Sequence, residues 1–142
     1  MTQPGVLHRF VDAQNGIYGQ VCAELRAGRK ASHWMWFIFP QLAGLGHSQM
    51  ARRFAISSLA EARAYLNHPL LGARLRECTR LVTSIEGRTV EQIFGNPDDL
   101  KFRSSMTLFS SAAADNDVFL EGLSKYFGGE PDRRTIELLH RE

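Results

Sequence analysis

Two stretches of the chain concentrate the residue types that do chemistry. The first runs from His33-Trp34-Met35-Trp36 through Gln41 to Gly44-Leu45-Gly46-His47-Ser48, setting an imidazole beside two indoles ahead of a glycine-bearing turn. Indole faces stack on planar rings such as a nucleobase or nicotinamide, and an imidazole titrates near neutral pH. Large aromatic residues are more often core, however, and at least one of Trp34 and Trp36 is expected there. The Gly44-x-Gly46-x-Ser48 turn offers backbone N–H groups and a helix start to an anion, with Arg52 and Arg53 a turn later. It is neither a Walker loop nor a Rossmann fingerprint, because no strand precedes it and the Lys-Ser/Thr pair is missing. The same glycines would equally make a plain turn.

The second stretch is Asp98-Asp99-Leu100-Lys101-Phe102-Arg103-Ser104-Ser105-Met106-Thr107. On a helix, Ser104 and Ser105 lie one turn beyond Lys101. Hydroxyls in such places commonly bond the preceding turn and stay inert. The functional alternative turns Lys101 and Ser104 or Ser105 toward a pocket, and a Ser–Lys dyad would further require burial to lower the lysine pKa. Gln14 and Tyr18, four residues apart on an otherwise apolar stripe, are either an internal hydrogen-bonded pair or part of a pocket wall. Arg74 and Glu77 read as a surface ion pair, and His68, ahead of Pro69, as a helix cap. No two histidines stand at metal-ligand spacing with a carboxylate, so neither a metal nor any other cofactor is expected.

The elements that must position these groups are helical. Leu7, Phe10, Val11, Gln14, Tyr18, Val21, Cys22 and Leu25 hold one register. They predict a helix from about Val6 to Ala27, bent at Gly16 and Gly19 and ended by Gly28. The six apolar residues Trp34 to Phe39 fit a buried strand or a short buried helix; Ser32 as a cap and the helical surroundings favour the helix. Ser48 caps a helix to about Ser57. Ser58 with Glu61 and Thr89 with Gln92 form capping boxes, and Pro69 suits the first position of the next helix. Further helices start near Asp98, Asp117 and Asp132. Together these predict an all-α fold, a single domain over residues 1–142 built as a compact array of about seven to eight short helices.

At 142 residues the chain is long enough for one well-buried core without metal or disulfide. Cys22 and Cys78 lie far apart on apolar stripes and read as buried thiols, with a disulfide between them unmotivated. The longest apolar run is far too short to span a bilayer, and no secretory pattern opens the chain, so a cytoplasmic protein without membrane association is expected. A net charge of +2 does not call for a nucleic-acid partner. Residues 1–53 carry +4 and the remainder −2, which permits a small anion near the first third of the chain. Binding to RNA would require Arg26, Arg29, Lys30, Arg52 and Arg53 to converge on one face.

The strings Ala13-Gln14…Tyr18, Gly28-Arg29-Lys30…His33-Trp34-Met35-Trp36-Phe37-Ile38-Phe39-Pro40-Gln41…Gly44-Leu45-Gly46…Ser48, Glu61-Ala62…Tyr65-Leu66…His68-Pro69-Leu70 and Lys101…Ser104-Ser105…Thr107-Leu108-Phe109 resemble the domain of unknown function 1810 family. The likeness runs from about Leu7 to Leu139 and implies an all-helical fold without assigning an activity. Some members carry the label calpastatin; calpastatins are long disordered inhibitors, whereas this composition specifies a packed domain, so the label carries no functional weight. In general plan only, the chain is also similar to helical proteins that cleave N-glycosidic bonds of ADP-ribose-type compounds, and none of their catalytic residues aligns here.

The expectation that follows is a pocket between the 33–48 stretch and the helix bearing residues 101–107. Its ligand would be small, anionic, ring-bearing and nucleotide-like. His33 and Lys101 would titrate and, if the site is catalytic, carry a metal-independent hydrolysis or group transfer. Gln14, Tyr18, Trp34, Trp36, Gln41, Gly44, Gly46, Ser48, Ser104 and Ser105 would bind. The alternative is a non-enzymatic protein-interaction module using the aromatic 33–41 segment as a contact patch, and exposure decides between them.

Overall fold

The computed structural model describes residues 4–142. Ten helices follow one another: α1 (Pro4–Gln14), α2 (Tyr18–Arg26), α3 (Met35–Ile38), α4 (Gln49–Arg53), α5 (Leu59–Asn67), α6 (Leu71–Thr83), α7 (Val90–Phe94), α8 (Asp98–Ala112), α9 (Asp117–Phe127) and α10 (Arg133–His140). Among the described residues there is no strand, only an isolated parallel bridge between Leu42 and Ile56. The fold is all-α, and seven of the helices reach two turns or more.

Local chemistry accounts for most of the boundaries. Thr89 and Gln92 form the reciprocal capping box, with Gln92 N–H on Thr89 Oγ1 at 3.1 Å and Thr89 N–H on Gln92 Oε1 at 2.9 Å. Ser48 caps α4 and Asp132 caps α10 through the N–H three residues on. His68 Nδ1 accepts from the N–H groups of Leu70 and Leu71 and so does the capping at the start of α6.

Four boundaries differ from the sequence reading. The long first helix is two, because Gly16 turns the chain at φ +85° between α1 and α2 while the apolar stripe stays in register on both sides. The helix opened by Ser48 stops at Arg53 rather than Ser57: Ile56 N–H donates to Gln41 O and Ala43 N–H to Ile56 O, a non-local pairing that outcompetes further helix. Pro69 stands in the turn ahead of α6 rather than at its first position. Ser58 caps α5, but the Glu61 carboxylate accepts from Ser57 N–H at 2.9 Å and from Arg9, so that box is not reciprocal.

The core centres on α8, whose residues Phe102, Met106, Leu108 and Phe109 are wholly buried. A helix enclosed on nearly all sides is an interior element. Phe39 at the end of α3 meets Phe102 edge-on at 5.1 Å and Phe94 of α7 at 5.8 Å, while Phe94 stacks on Phe102 at 5.0 Å. Such aromatic contacts add directional stabilisation to area burial. They seat the 33–41 segment against the start of α8. Elsewhere, Lys125 of α9 donates to the carbonyls of Thr83 and Ile85 at 2.6 Å each, and Tyr126 Oη donates to Val82 O, closing the C-terminal end of α6.

Candidate ligand-binding site

The two chemistry-bearing stretches meet. Lys101 Nζ stands 5.4 Å from the centre of the Trp36 ring, and Lys30 Nζ stands 5.3 Å from that of Trp34. Asp98, in the first turn of α8, joins the two ammonium groups: Oδ2 lies 3.0 Å from Lys30 and Oδ1 3.3 Å from Lys101. The lysine side chains differ in exposure, Lys30 keeping 9% of its surface and Lys101 24%. Lys30 is thus a structural partner of Asp98, and Lys101 keeps a face toward solvent.

Trp36 and Lys101 border a recess of about 310 Å³, counted to its mouth, with Gln41, Gly44, Gly46, Met35, Phe39, Ala51 and Phe54 completing its wall. Its interior is tight, with about the room of a single water molecule. The Trp36 indole N–H is buried and has no hydrogen-bond partner. Orphaned buried donors are uncommon in folded proteins, and the residue that carries this one also lines the recess. Lys101 is the one titratable side chain on the wall.

Other expected residues lie elsewhere or are already engaged. Trp34 is core, and its indole N–H donates to Glu24 Oε1 at 2.9 Å, so it offers no stacking face. Gln14 is 1% exposed and its amide is fully used: Nε2 donates to Phe37 O at 2.7 Å and Tyr65 Oη at 3.2 Å, and Oε1 accepts from Arg74. Tyr18 donates to Glu77 and is covered by the Arg74 guanidinium. Neither Gln14 nor Tyr18 lines the recess. The expected Arg74–Glu77 ion pair is likewise replaced by these contacts. His33 is exposed and off the recess wall, so no acid–base pair with Lys101 is assembled there. Ser48 is committed to its cap, and Ser104 back-bonds to Leu100 O at 3.1 Å. Ser105 is wholly buried with its hydroxyl unpaired, but it is not part of the wall.

The aromatic segment is interior. Trp34, Met35, Phe37, Ile38 and Phe39 are all buried, while Trp36 is half-buried and His33 exposed. Of the five basic residues, Lys30 is held by Asp98 and the Arg53 guanidinium lies over Phe54, while Arg26, Arg29 and Arg52 are exposed.

Two residues that organise the site escaped sequence reasoning. Asp98 holds Lys101 in place; its i,i+3 spacing was a readable signal. Glu24 accepts from Ala31 N–H, Ser32 N–H, Ser32 Oγ, Gln20 and Trp34, and so fixes the approach to α3. Burial alone would raise its pKa, but the hydrogen bonds from Ser32, Ala31, Trp34 and Gln20 prevail and hold it at about 2. Nothing in the local pattern marks it, because its partners lie up to ten residues away across a turn. On the far side, burial raises the Tyr18 phenol well above its usual range, the Glu77 hydrogen bond adding to it. Burial also lifts the Cys78 thiol to about 12 against the opposing Tyr18 hydrogen bond. Cys22 and Cys78 are free, buried thiols, and a pKa so high suits an inert one.

A model for a protein family of unknown function, DUF1810, matches residues 4–139, nearly the whole chain. The chain belongs to the DUF1810 family. A crystal structure within reach of it, that of the conserved hypothetical protein Rv1873 from Mycobacterium tuberculosis, is 59% identical. It covers 97% of this chain and 99% of its own, with a TM-score of 0.95. None of the curated proteins matches. For this DUF1810 chain the fold is therefore shared with a solved structure, and the function has to be argued from the recess. No helix among the described residues is long and apolar enough to cross a membrane.

Proposed function

We propose that the chain binds a small anionic, ring-bearing, nucleotide-like ligand at the recess between α3 and the start of α8. The observation that carries the reading is the unpaired Trp36 indole N–H at a wall that also holds the Lys101 ammonium. Both groups are donors, no acidic side chain lines the wall itself, and an anionic oxygen there would complete the Trp36 N–H while sharing Lys101 with Asp98. The tight interior accepts that oxygen, while the ring rests at the mouth against the Gly44–Gly46 turn. Trp36 therefore acts through its N–H edge, since Lys101 already covers a ring face.

Binding is what the recess is equipped for. With Lys101 as its sole titratable side chain, it lacks the second proton-transfer group that hydrolysis or group transfer without a metal requires. A thermal-shift screen with nucleotides, NAD-related compounds and sugar phosphates tests the reading. A ligand present at a hundred times its Kd stabilises by about 2.7 kcal/mol, an easily read rise in melting temperature. Lys101→Ala should remove that rise while melting like the parent without ligand. If no compound of these classes shifts the wild-type protein, the reading is wrong.

A further inference from the structure

Gln41 is the one side chain on the recess wall that can both give and accept a conventional hydrogen bond. Trp36 and Lys101 only donate, and the other side chains there are apolar. The Gln41 backbone is fixed: its carbonyl accepts from Ile56 N–H at 2.9 Å, and Ala43 N–H donates to Ile56 O at 2.8 Å. Its carboxamide is not. Gln14, Gln20 and Gln92 bond protein groups through their side chains, whereas that of the half-buried Gln41 bonds none of the described residues. The carboxamide stands beside the Gly44–Gly46 turn, since a Cβ on Gly46 would lie 3.9 Å from Gln41 Oε1. The same Cβ would lie 2.6 Å from Ala51 Cβ, so the turn packs hard on α4 and leaves no slack on that side.

The three polar groups of the wall are thus unequal in kind. Trp36 and Lys101 ask for an oxygen, while Gln41 brings an acceptor as well as a donor. A phosphate or sulfate group has only acceptor oxygens to present, and it leaves the Gln41 acceptor unmatched. At about 310 Å³ to its mouth the recess is at the small end of ligand pockets, with room for one small ring. A heterocycle bearing an oxygen on one ring atom and N–H on the next matches all three groups.

We propose that Gln41 sets the specificity of the recess by pairing with a ring N–H next to the ligand's anionic oxygen. The ligand class is then an ionised cyclic amide or imide, as in acidic oxopurines and oxopyrimidines, inserted oxygen first. The proposal rests on the reading of the recess as an anion site and deepens it by naming the chemical edge that is read.

Barbiturate and 1,3-dimethylbarbiturate test it. Both are ring monoanions at neutral pH with the same oxygens, and only the first carries N–H groups beside them. Calorimetric titration of the intact protein should show barbiturate bound at least about tenfold more tightly, the effect of one buried hydrogen bond. Gln41→Met keeps the side-chain length without its polar atoms and should bring the two compounds within about twofold; Gln41→Ala serves as a second variant. Equal affinity of the parent for both compounds, or no binding of barbiturate, overturns the proposal. So does discrimination that persists in the variants, because shape alone would then exclude the methyl groups. The two readings fail separately. Binding of inorganic phosphate or nucleotides in place of barbiturate removes the N–H edge and leaves the anion site; no response to any of them removes both.

Discussion

Gln14 and Trp36 teach opposite lessons. Gln14 donates to the carbonyl of Phe37, the residue next to Trp36, and its amide is satisfied on every side by Phe37, Tyr65 and Arg74. Trp36 keeps a buried N–H without any partner. Both are polar groups carried into an apolar interior, where an unmet hydrogen bond is costly. The satisfied one is scaffold, joining α1, α3, α5 and α6. The unsatisfied one carries the proposal that a ligand oxygen arrives from outside. Partnership alone does not decide the matter, since Ser105 is also buried and unpaired; Trp36 differs from it in lining the recess.

The sharpest way to break this contrast is to remove Gln14. Gln14→Ala strands the Phe37 carbonyl and the Tyr65 hydroxyl as acceptors and Arg74 as a donor, and should cost about 3 kcal/mol in urea unfolding. A loss under ~1 kcal/mol would show that Gln14 is not scaffold, and the contrast would collapse.

Next in size is Glu24, which belongs to the satisfied class although it sits near the surface. Its carboxyl is held at about 2 in the folded protein against an ordinary 4.5, so its contribution is complete above pH 4.5 and is lost as pH falls toward 2. Glu24→Gln should lower stability by roughly 2 kcal/mol at pH 7 and by progressively less on acidification. Denaturation midpoints of the two proteins measured from pH 7 to 2.5 should converge; parallel curves would contradict the assignment.

Much of the fold was legible because helix starts are written locally. Thr89 with Gln92, Asp132 and Ser48 each announce a cap by residue type and spacing, and the structure uses all three. What was not legible depends on distant partners. The end of α4 is set by pairing between residues 41–43 and Ile56, and the break at Gly16 is hidden because the apolar stripe resumes in phase. The site divides the same way. Lys101 and the 33–48 stretch could be paired from their chemistry, but Gln14 and Tyr18 look identical in sequence whether their partners are protein or ligand. Only coordinates place Arg74, sixty residues on, against Gln14.

The two indoles sharpen the comparison at smaller cost. Trp34→Phe loses the bond to Glu24 and should destabilise by about 2 kcal/mol, whereas Trp36→Phe discards an orphan donor and should stay within ~1 kcal/mol of the parent. Calorimetric melting of both variants reads the difference, and the reverse order would mean that Trp36 is the structural indole. Smallest of all is His33. Exposed and off the recess, it should tolerate His33→Ala within ~0.5 kcal/mol. An unaltered ligand response in the thermal-shift screen would confirm that it stands outside the site, and a lost one would restore it as a contact.

The chain has only three lysines against fourteen arginines, and all three are pinned: Lys30 and Lys101 to Asp98, Lys125 to the carbonyls ending α6. Amine-directed reagents therefore meet a molecule with almost no idle ε-amino groups. Mild acylation becomes a footprint: modification at position 101 reports access to the recess edge, at 125 a loosened helix seam, and at 30 a breach of the interior itself.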